Sequence, residues 1–215
     1  MAKRKCKNAP YWTEEESSRL REVFHFIFPE EATILFPGRT WKSIRARGTN
    51  MGLHRGCRKV LFPREYTNDT DGGYVSGLVD GEGCFMVSLK HRDRTNYNPK
   101  FGINLRRDDI GIILWLQSYF GCGRLQFITR KNGSKPAVAF TIANLYDIMR
   151  SVVPHFTKYP LRAKKRNDYE TWLELVEIQA QNFRSHSSWT PEIIDKMGDI
   201  YKSLRQNRAY KEPVT

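Results

Sequence analysis

The sequence has few cysteines, and they are not arranged in pairs. The four cysteines among its 215 residues are Cys6, Cys57, Cys84 and Cys122. Neither the short paired spacing of a zinc site nor the dense spacing of a disulfide framework is present. We therefore interpret all four as ordinary reduced cysteines.

Long apolar runs are also missing. No apolar stretch is long enough to span a bilayer, and no basic amphipathic helix dominates the chain. The first seven residues are basic without an apolar core, so they do not resemble a secretory signal. These absences predict an intracellular protein, in the cytoplasm, the nucleoid or an organelle matrix, with no membrane partner.

Acidic residues are in deficit. Lys and Arg number 36 against 23 Asp and Glu, which gives a formal net charge of +13 and a pI near 9.7. The first 70 residues and the remainder are both basic on balance, so no single tail carries the charge. Such a balance favours a polyanionic partner. Double-stranded DNA is the partner that we expect, and RNA stays open as a second one.

The first 50 residues carry the signals of three short helices. Thr13 begins the first helix with a capping-box spacing, and Pro29 is predicted to close it. A second helical piece is expected over residues 30–35, and Thr40 is the expected N-cap of a third helix. The third helix is basic.

Residues 12–55 resemble the Myb/SANT-like trihelical DNA-binding domains. The resemblance rests on the segments 12–16 (Trp-Thr-Glu-Glu-Glu) and 38–47 (Gly-Arg-Thr-Trp-Lys-Ser-Ile-Arg-Ala-Arg). It implies a third helix that enters the major groove. The candidate DNA contacts are Arg39, Lys42, Arg45 and Arg47. The alternatives are a helical bundle that merely carries surface charge and one that binds protein. We expect this domain over residues 1–56 and a linker over 57–71.

A second motif combines closely packing glycines with two acids. Gly73, Gly77 and Gly81 recur at every fourth residue, which places them on one helical face that a second backbone can approach. Asp80 and Glu82 follow where the helix should end. This combination predicts a metal site at a subunit interface.

The segment from residue 75 to residue 83 resembles the signature of the LAGLIDADG homing endonucleases. Five positions differ from it: Val75 stands for Leu, Ser76 for Ala, Val79 for Ile, Gly81 for Ala and Glu82 for the last Asp. All five changes keep size or charge. Read alone, the nine residues are also compatible with a tight turn whose end is solvated.

The pattern that follows the motif repeats the order strand, strand, helix. Strands are predicted at 84–90, 100–106, 124–129 and 138–142, and helices at 108–120, 144–153, 167–181 and from 190 onward. In the second strand, polar residues 100, 102, 104 and 106 alternate with apolar ones, so one sheet face is basic and polar. The resemblance implies an α+β fold over residues 72–215: an αββαββα unit with a four-stranded antiparallel, saddle-shaped sheet that binds DNA.

The resemblance also implies how the site is assembled. Family members with a single motif pair as homodimers, and we find no second copy of the motif. Glu82 occupies the position of the metal-binding acid, and Gly81 would offer its backbone carbonyl. Oxygen ligands of this kind suit Mg²⁺, with two divalent cations expected per dimeric site. The predicted motif and interface residues are Gly73, Ser76, Gly77 and Asp80, and for Asp80 a structural or capping role is expected rather than ligation.

A basic side chain near the attacking water is implied as well. Lys164 and Lys165 lie where the family places it, and the sequence does not distinguish between them. Phosphate contacts or a solvated charge run are the alternatives for this pair. Leu105 stands near a position where family members often carry a polar residue, so Asn104 or Arg106 is the expected substitute.

Base contacts are expected from the sheet, because an antiparallel ribbon fits the major groove. The candidates are Lys90, Arg92, Arg94, Lys100, Asn104, Arg106, Arg124, Gln126, Arg130 and Lys131. We therefore expect a site-specific homing endonuclease that makes a double-strand break by Mg²⁺-dependent phosphodiester hydrolysis. The alternative is a non-cleaving DNA-binding regulator or an RNA-splicing maturase on the same scaffold.

Overall fold

A computed structural model describes residues 11–56, 59–90, 96–129, 135–181 and 189–207. The helices are α1 Glu14–Val23, α2 Pro29–Leu35, α3 Trp41–Asn50, α4 Asp69–Glu82, α5 Ile110–Phe120, α6 Leu145–Asp147, α7 Val153–Lys158, α8 Lys165–Gln181 and α9 Pro191–Asn207. The strands are β1 Gly83–Lys90, β2 Asn96–Arg106, β3 Arg124–Ile128 and β4 Ala137–Ile142. None of the helices in these ranges combines the length and apolar character needed to cross a bilayer.

The first three helices pack around a small core of their own. The Thr13 hydroxyl accepts the Glu16 N–H while the Glu16 carboxylate accepts the Thr13 N–H, so the predicted capping box begins α1. Leu20, Phe24 and Ile44 are fully buried between the helices. Pro29 does not close α1 as predicted. It is the first residue of α2, where a missing N–H has no consequence.

Two antiparallel hairpins form the sheet. Its strand order is β1-β2-β4-β3, and all neighbouring strands are antiparallel. The second strand begins at Asn96, four residues earlier than predicted, and therefore contains Pro99. Proline is tolerated there because residues 96–100 pair only with β1, so this stretch is an edge.

The pairing register confirms the predicted two-faced sheet. Phe101 pairs with Phe85 and Ile142, which lie on the buried face under the helices. Asn104 pairs with Ala139, which in turn pairs with Gln126, and this row lies on the opposite face. The alternation with period two thus places apolar side chains of β1, β2 and β4, such as Phe85, Ile103 and Phe140, in one core.

The predicted linker over residues 57–71 is corrected by the structure. Helix α4 begins at Asp69, where the Asn68 side chain accepts the N–H groups of Thr70 and Asp71. Tyr66 is buried in the core beneath the sheet, and its hydroxyl donates to the carbonyl of Ser151. Residues 59–68 therefore form a connecting segment with fixed contacts between the helical domain and the α+β unit. We call this segment the strap.

The helix predicted over residues 144–153 is longer than expected. Helix α6 continues through a π-helical turn at Ile148–Val152 directly into α7, which ends at Lys158. Residues 159–164 then lead into α8. This connection brings Lys165, one of the two candidate lysines, to the end of α4.

Candidate metal site and nucleic-acid interface

Glu82 is the last residue of α4 and is exposed. Among the described residues, its carboxylate has no hydrogen-bond or ion-pair partner. The last carbonyls of an α-helix lack intrahelical partners and carry the negative end of the helix dipole. A free carboxylate beside such carbonyls, that of Gly81 included, is a donor set that attracts a hard cation.

A cleft opens beside Glu82 at the end of β2. Its other lining residues are Asn104, Leu105, Arg106, Asp109, Lys135 and Ala137. Arg106 forms an ion pair with Asp108, and this hydrogen bond lowers the pKa of the Asp108 carboxyl. Asn104, which precedes Leu105 in the sequence, lines the same cleft and carries an uncharged polar side chain. It stays a candidate substitute for the polar residue that is missing at Leu105.

The described residues of one chain do not form a complete metal site. In the described ranges, no group of three or more His, Cys, Asp or Glu side chains is positioned to hold a metal ion. Glu82 therefore offers a single carboxylate at the end of α4. A metal ion at Glu82 would need further ligands besides this carboxylate.

Asp80 has a structural role. Its two carboxylate oxygens accept the backbone N–H groups of Arg162, at 2.9 Å, and Ala163, at 3.2 Å. Both oxygens are thus engaged by the segment that precedes α8. The carboxylate is turned toward this segment.

The structure distinguishes the two candidate lysines. The ammonium group of Lys165 donates to the carbonyl of Gly83 at 2.7 Å, immediately after Glu82. Lys164 is exposed, and the carbonyl of Lys164 accepts the N–H of Asn167 in the first turn of α8. Lys165 is the lysine that lies at the end of the motif helix.

Three glycines form an open face on α4. A Cβ atom placed on Gly73, Gly77 or Gly81 would meet none of the described residues within 4 Å. Ser76, which was predicted to lie with them at the interface, lines a cleft together with Gly73 and Gly77. It is buried, its hydroxyl donates to the carbonyl of Tyr159 at 2.7 Å, and it lies 3.2 Å from a ring nitrogen of His155.

His155 was not among the predicted residues. It is fully buried on α7, with Nε2 facing Ser76 on α4 and Nδ1 lying 2.9 Å from the hydroxyl of Tyr119 on α5. Burial lowers the pKa of His155 to about 3, so the ring is neutral at physiological pH. A single histidine in a helix gives no sequence signal that its ring will connect side chains of two other helices.

Four of the predicted sheet residues line one groove on the polar face. These are Lys100, Asn104, Arg124 and Gln126, together with Met86, Gly123, Thr141, Ala143, Asn144 and Asp147. Arg106 extends the same face toward Glu82. Lys90 ends β1, but its side chain is not described. Arg92, Arg94, Arg130 and Lys131 lie outside the described residues.

Two of the four predicted contacts in the helical domain are turned inward. The Arg39 guanidinium donates to both oxygens of Glu16, at 3.0 and 2.8 Å, and lies 4.5 Å above the ring of Trp12. These hydrogen bonds lower the pKa of the Glu16 carboxyl. Arg47 donates to the hydroxyl of Ser17. Both side chains thus hold α1 against the start of α3 and α3 itself, and their contact with DNA stays a prediction.

Lys42 and Arg45 stay candidate contacts with DNA. Both are exposed on α3, one helical turn apart. Two cations at this spacing lie on one side of a helix. The accessible positive charge of α3 is thus concentrated on these two residues.

Comparison with known proteins identifies relatives of the α+β unit. Residues 75–176 match a family model described as LAGLIDADG endonuclease. Probable intron-encoded endonuclease 3 of Neurospora crassa is 34% identical over 119 residues, which are 54% of this chain and 21% of that protein. The chain therefore spans about a fifth of the length of this relative.

Two solved structures share the fold. The LAGLIDADG meganuclease I-AabMI, bound to uncleaved DNA, is 26% identical with a TM-score of 0.52, and the match covers 62% of this chain and 44% of that one. The homing endonuclease I-TnaI is 26% identical with a TM-score of 0.50, and the match covers 63% of this chain and 94% of that one. These likenesses confirm the α+β unit with its four-stranded antiparallel sheet.

Proposed function

Because residues 75–176 belong to the LAGLIDADG endonuclease family, we propose that this chain is a metal-dependent, site-specific DNA endonuclease that acts as a homodimer. The observation that carries the proposal is the position of Glu82. Its carboxylate is exposed at the end of a helix whose glycine face is open to a second helix. The resemblance in sequence and the geometry of the site support the same activity.

The chemistry requires a water made nucleophilic and neutralisation of the charge that develops on the phosphate. A bound Mg²⁺ supplies both, by lowering the pKa of its water and by polarising the phosphoryl oxygen. The carboxylate of Glu82 and the carbonyl of Gly81 would hold the ion. Lys165 places a positive charge next to Glu82, where it can hydrogen-bond the phosphate or the attacking water.

The need for a second carboxylate supports the homodimer. Each chain contributes one Glu82, whereas a double-strand break requires a reaction on each of two strands. The open face at Gly73, Gly77 and Gly81 allows two α4 helices to approach closely. The comparisons support a homodimer. The match covers 94% of I-TnaI but only 44% of I-AabMI, as expected if this chain corresponds to one of two repeated units in I-AabMI.

DNA is the substrate that fits the polar face of the sheet. I-AabMI is described as bound to uncleaved DNA. In this chain, Lys100 and Arg124 can bind phosphate or guanine, while Asn104 and Gln126 can pair with adenine in the major groove. The exposed Lys42 and Arg45 on α3 would add a second contact and extend the recognised site.

The decisive experiment separates binding from cleavage. Duplexes bound in Ca²⁺ are selected from a random-sequence library, Mg²⁺ is then added, and wild type is compared with Glu82→Gln. We expect wild type to cut the selected site, and Glu82→Gln to bind it with similar affinity without cutting. Glu177→Gln, which removes an exposed acid from α8, is the matched control and should cut normally.

Selective binding without cutting by either protein would reject the endonuclease. That outcome would identify a non-cleaving DNA-binding protein on the same scaffold. Equal cutting by wild type and Glu82→Gln would instead show that another residue holds the metal ion.

A further inference from the structure

Asp80 ties the end of α4 to the beginning of α8. Its carboxylate accepts two backbone N–H groups, from Arg162 and Ala163. The carbonyl of Ala163 accepts the N–H of Arg166 at 2.9 Å, which closes the turn that leads into α8. Hydrogen bonds to an ionised acceptor are stronger than neutral ones, and a negative charge before a helix N-terminus is stabilising. The start of α8 is therefore fixed relative to the end of α4.

The same turn determines where Lys165 points. Leu161 is buried on the other side of the turn, so the segment is held from both directions. Lys165, the first residue of α8, reaches back to donate to the carbonyl of Gly83. Asp80 and Lys165 thus join the residues on either side of Glu82 to the beginning of α8.

We propose that Asp80 is a positioning residue for Lys165, which it holds beside the metal-binding Glu82 through the backbone of residues 162 and 163. The inference rests on the proposed endonuclease function, in which Lys165 acts on the phosphate or the water. Both oxygens of Asp80 accept hydrogen bonds from the turn, which directs the carboxylate toward residues 162 and 163. Asp80 therefore acts through the position of Lys165 rather than on the substrate.

The first measurement is independent of cleavage. The full-length protein is treated with an amine-reactive reagent, and the labelling rates of Lys165 and Lys164 are compared by mass spectrometry. The hydrogen bond to Gly83 makes Lys165 the slower of the two in wild type. Asp80→Asn, which can accept only one of the two N–H groups, should raise the ratio of Lys165 to Lys164 labelling by roughly 10-fold.

The second measurement is a double-mutant cycle on the single-turnover cleavage rate. Misplacing a catalytic group by 1 Å can lower the rate by about 100-fold, so Asp80→Asn and Lys165→Met should each cause a loss of this order. The double variant should be no slower than Lys165→Met alone, because Asp80 then has no lysine to position. Asp195→Asn makes the same charge change on the exposed surface of α9 and should leave both measurements as in wild type.

The outcomes separate the two proposals. An unchanged labelling ratio in Asp80→Asn, or losses that multiply in the double variant, would overturn the positioning role. If wild type does not cleave, the endonuclease proposal fails and the labelling ratio alone decides the role of Asp80. If Asp80→Asn does not fold, Asp80→Ser, which keeps one acceptor, takes its place in both measurements.

Discussion

His155 connects three helices at the level of single side chains. Its two ring nitrogens face Ser76 of α4 and Tyr119 of α5, while the ring itself belongs to α7. Burial lowers its pKa to about 3, far below the ordinary value of 6.5. The folded protein therefore keeps the ring neutral over a pH range in which the unfolded chain takes up a proton.

This difference makes stability depend on pH with a defined sign. Below about pH 6.5 the unfolded state binds more protons, so the free energy of unfolding should fall by up to about 1.4 kcal/mol per pH unit as the pH decreases toward 3. Urea unfolding of wild type and His155→Gln at pH 7, 6, 5 and 4 measures the effect. The variant should be less stable at pH 7 but show a shallower slope.

Ser76→Ala is the control for this slope. It removes a buried hydrogen bond and should cost about 1–2 kcal/mol, yet it leaves the histidine buried. The slope of Ser76→Ala should therefore equal that of wild type. Equal slopes in wild type and His155→Gln would show that another group causes the acid sensitivity.

Arg39 and Arg45 have similar sequence surroundings and opposite structural roles. Arg39→Met should lower the free energy of unfolding of the helical domain by about 2–3 kcal/mol, because it leaves the half-buried Glu16 without its partner.

Arg45→Met should leave stability unchanged within about 0.5 kcal/mol. It should instead weaken DNA binding and reduce the salt dependence by about one phosphate contact. Thermal unfolding and binding isotherms at several salt concentrations distinguish the two, and a stable Arg39→Met variant would contradict the assignment.

The sequence could not separate these two arginines. Helical periodicity places charges on a helix, but it does not reveal that the fold brings Glu16 and Trp12 to Arg39. The same limit applies to Ser76, whose partners on residues 155 and 159 are about 80 positions away along the chain. In contrast, Glu82 was predictable, because its position depends only on the local end of its own helix.

Helix α4 presents a test at the level of a secondary-structure element. Glycine in a helix is less favourable than alanine by about 0.5–1 kcal/mol, and a Cβ atom on Gly77 would meet no described residue of the same chain within 4 Å. Gly77→Ala should therefore stabilise the monomer slightly. If α4 helices pack against each other in the dimer, the same change should weaken self-association, measured by sedimentation, and lower cleavage.

Gly111 provides the matched comparison. It lies near the start of α5, is exposed, and also has open space around its Cβ position. Gly111→Ala should keep the association of wild type with a similar or smaller gain in stability. Unchanged association of Gly77→Ala would place the dimer contact on another surface.

The elements themselves were largely predictable because their signals are local. The alternation in β2 correctly assigned its two faces, and Gly121, with φ of 65°, ends α5 in the left-handed conformation that favours glycine. The strap over residues 59–68 was missed, since its order depends on distant partners: the carbonyl of Ser151 for Tyr66 and the carbonyl of Arg150 for the Arg64 N–H. Polar, aperiodic segments resemble linkers whether or not such partners exist.

At the scale of the whole molecule, the helical domain depends on its neighbour. Residues 11–56 form a domain too small to bury much apolar surface alone. Phe28 is fully buried and its ring lies 5.1 Å from that of Tyr146 in the α+β unit. The buried Glu31 accepts the N–H groups of Leu61 and Phe62, at 2.8 and 3.0 Å, and so holds the strap. The exposed cations on α3 and the polar face of the sheet are therefore connected by packing and hydrogen bonds as well as by the chain itself.

Loss of this connection should uncouple the unfolding of the two parts. Glu31→Ala leaves two partly buried N–H groups without acceptors, at a cost of about 2–4 kcal/mol. Amide hydrogen exchange followed by mass spectrometry should then show faster exchange over residues 11–56, with residues 96–181 as in wild type. Glu30→Ala removes the exposed neighbouring acid and should exchange like wild type. If residues 11–56 keep their protection in Glu31→Ala, the packing of Phe28 on Tyr146 suffices to hold the helical domain, and the strap only connects the two parts.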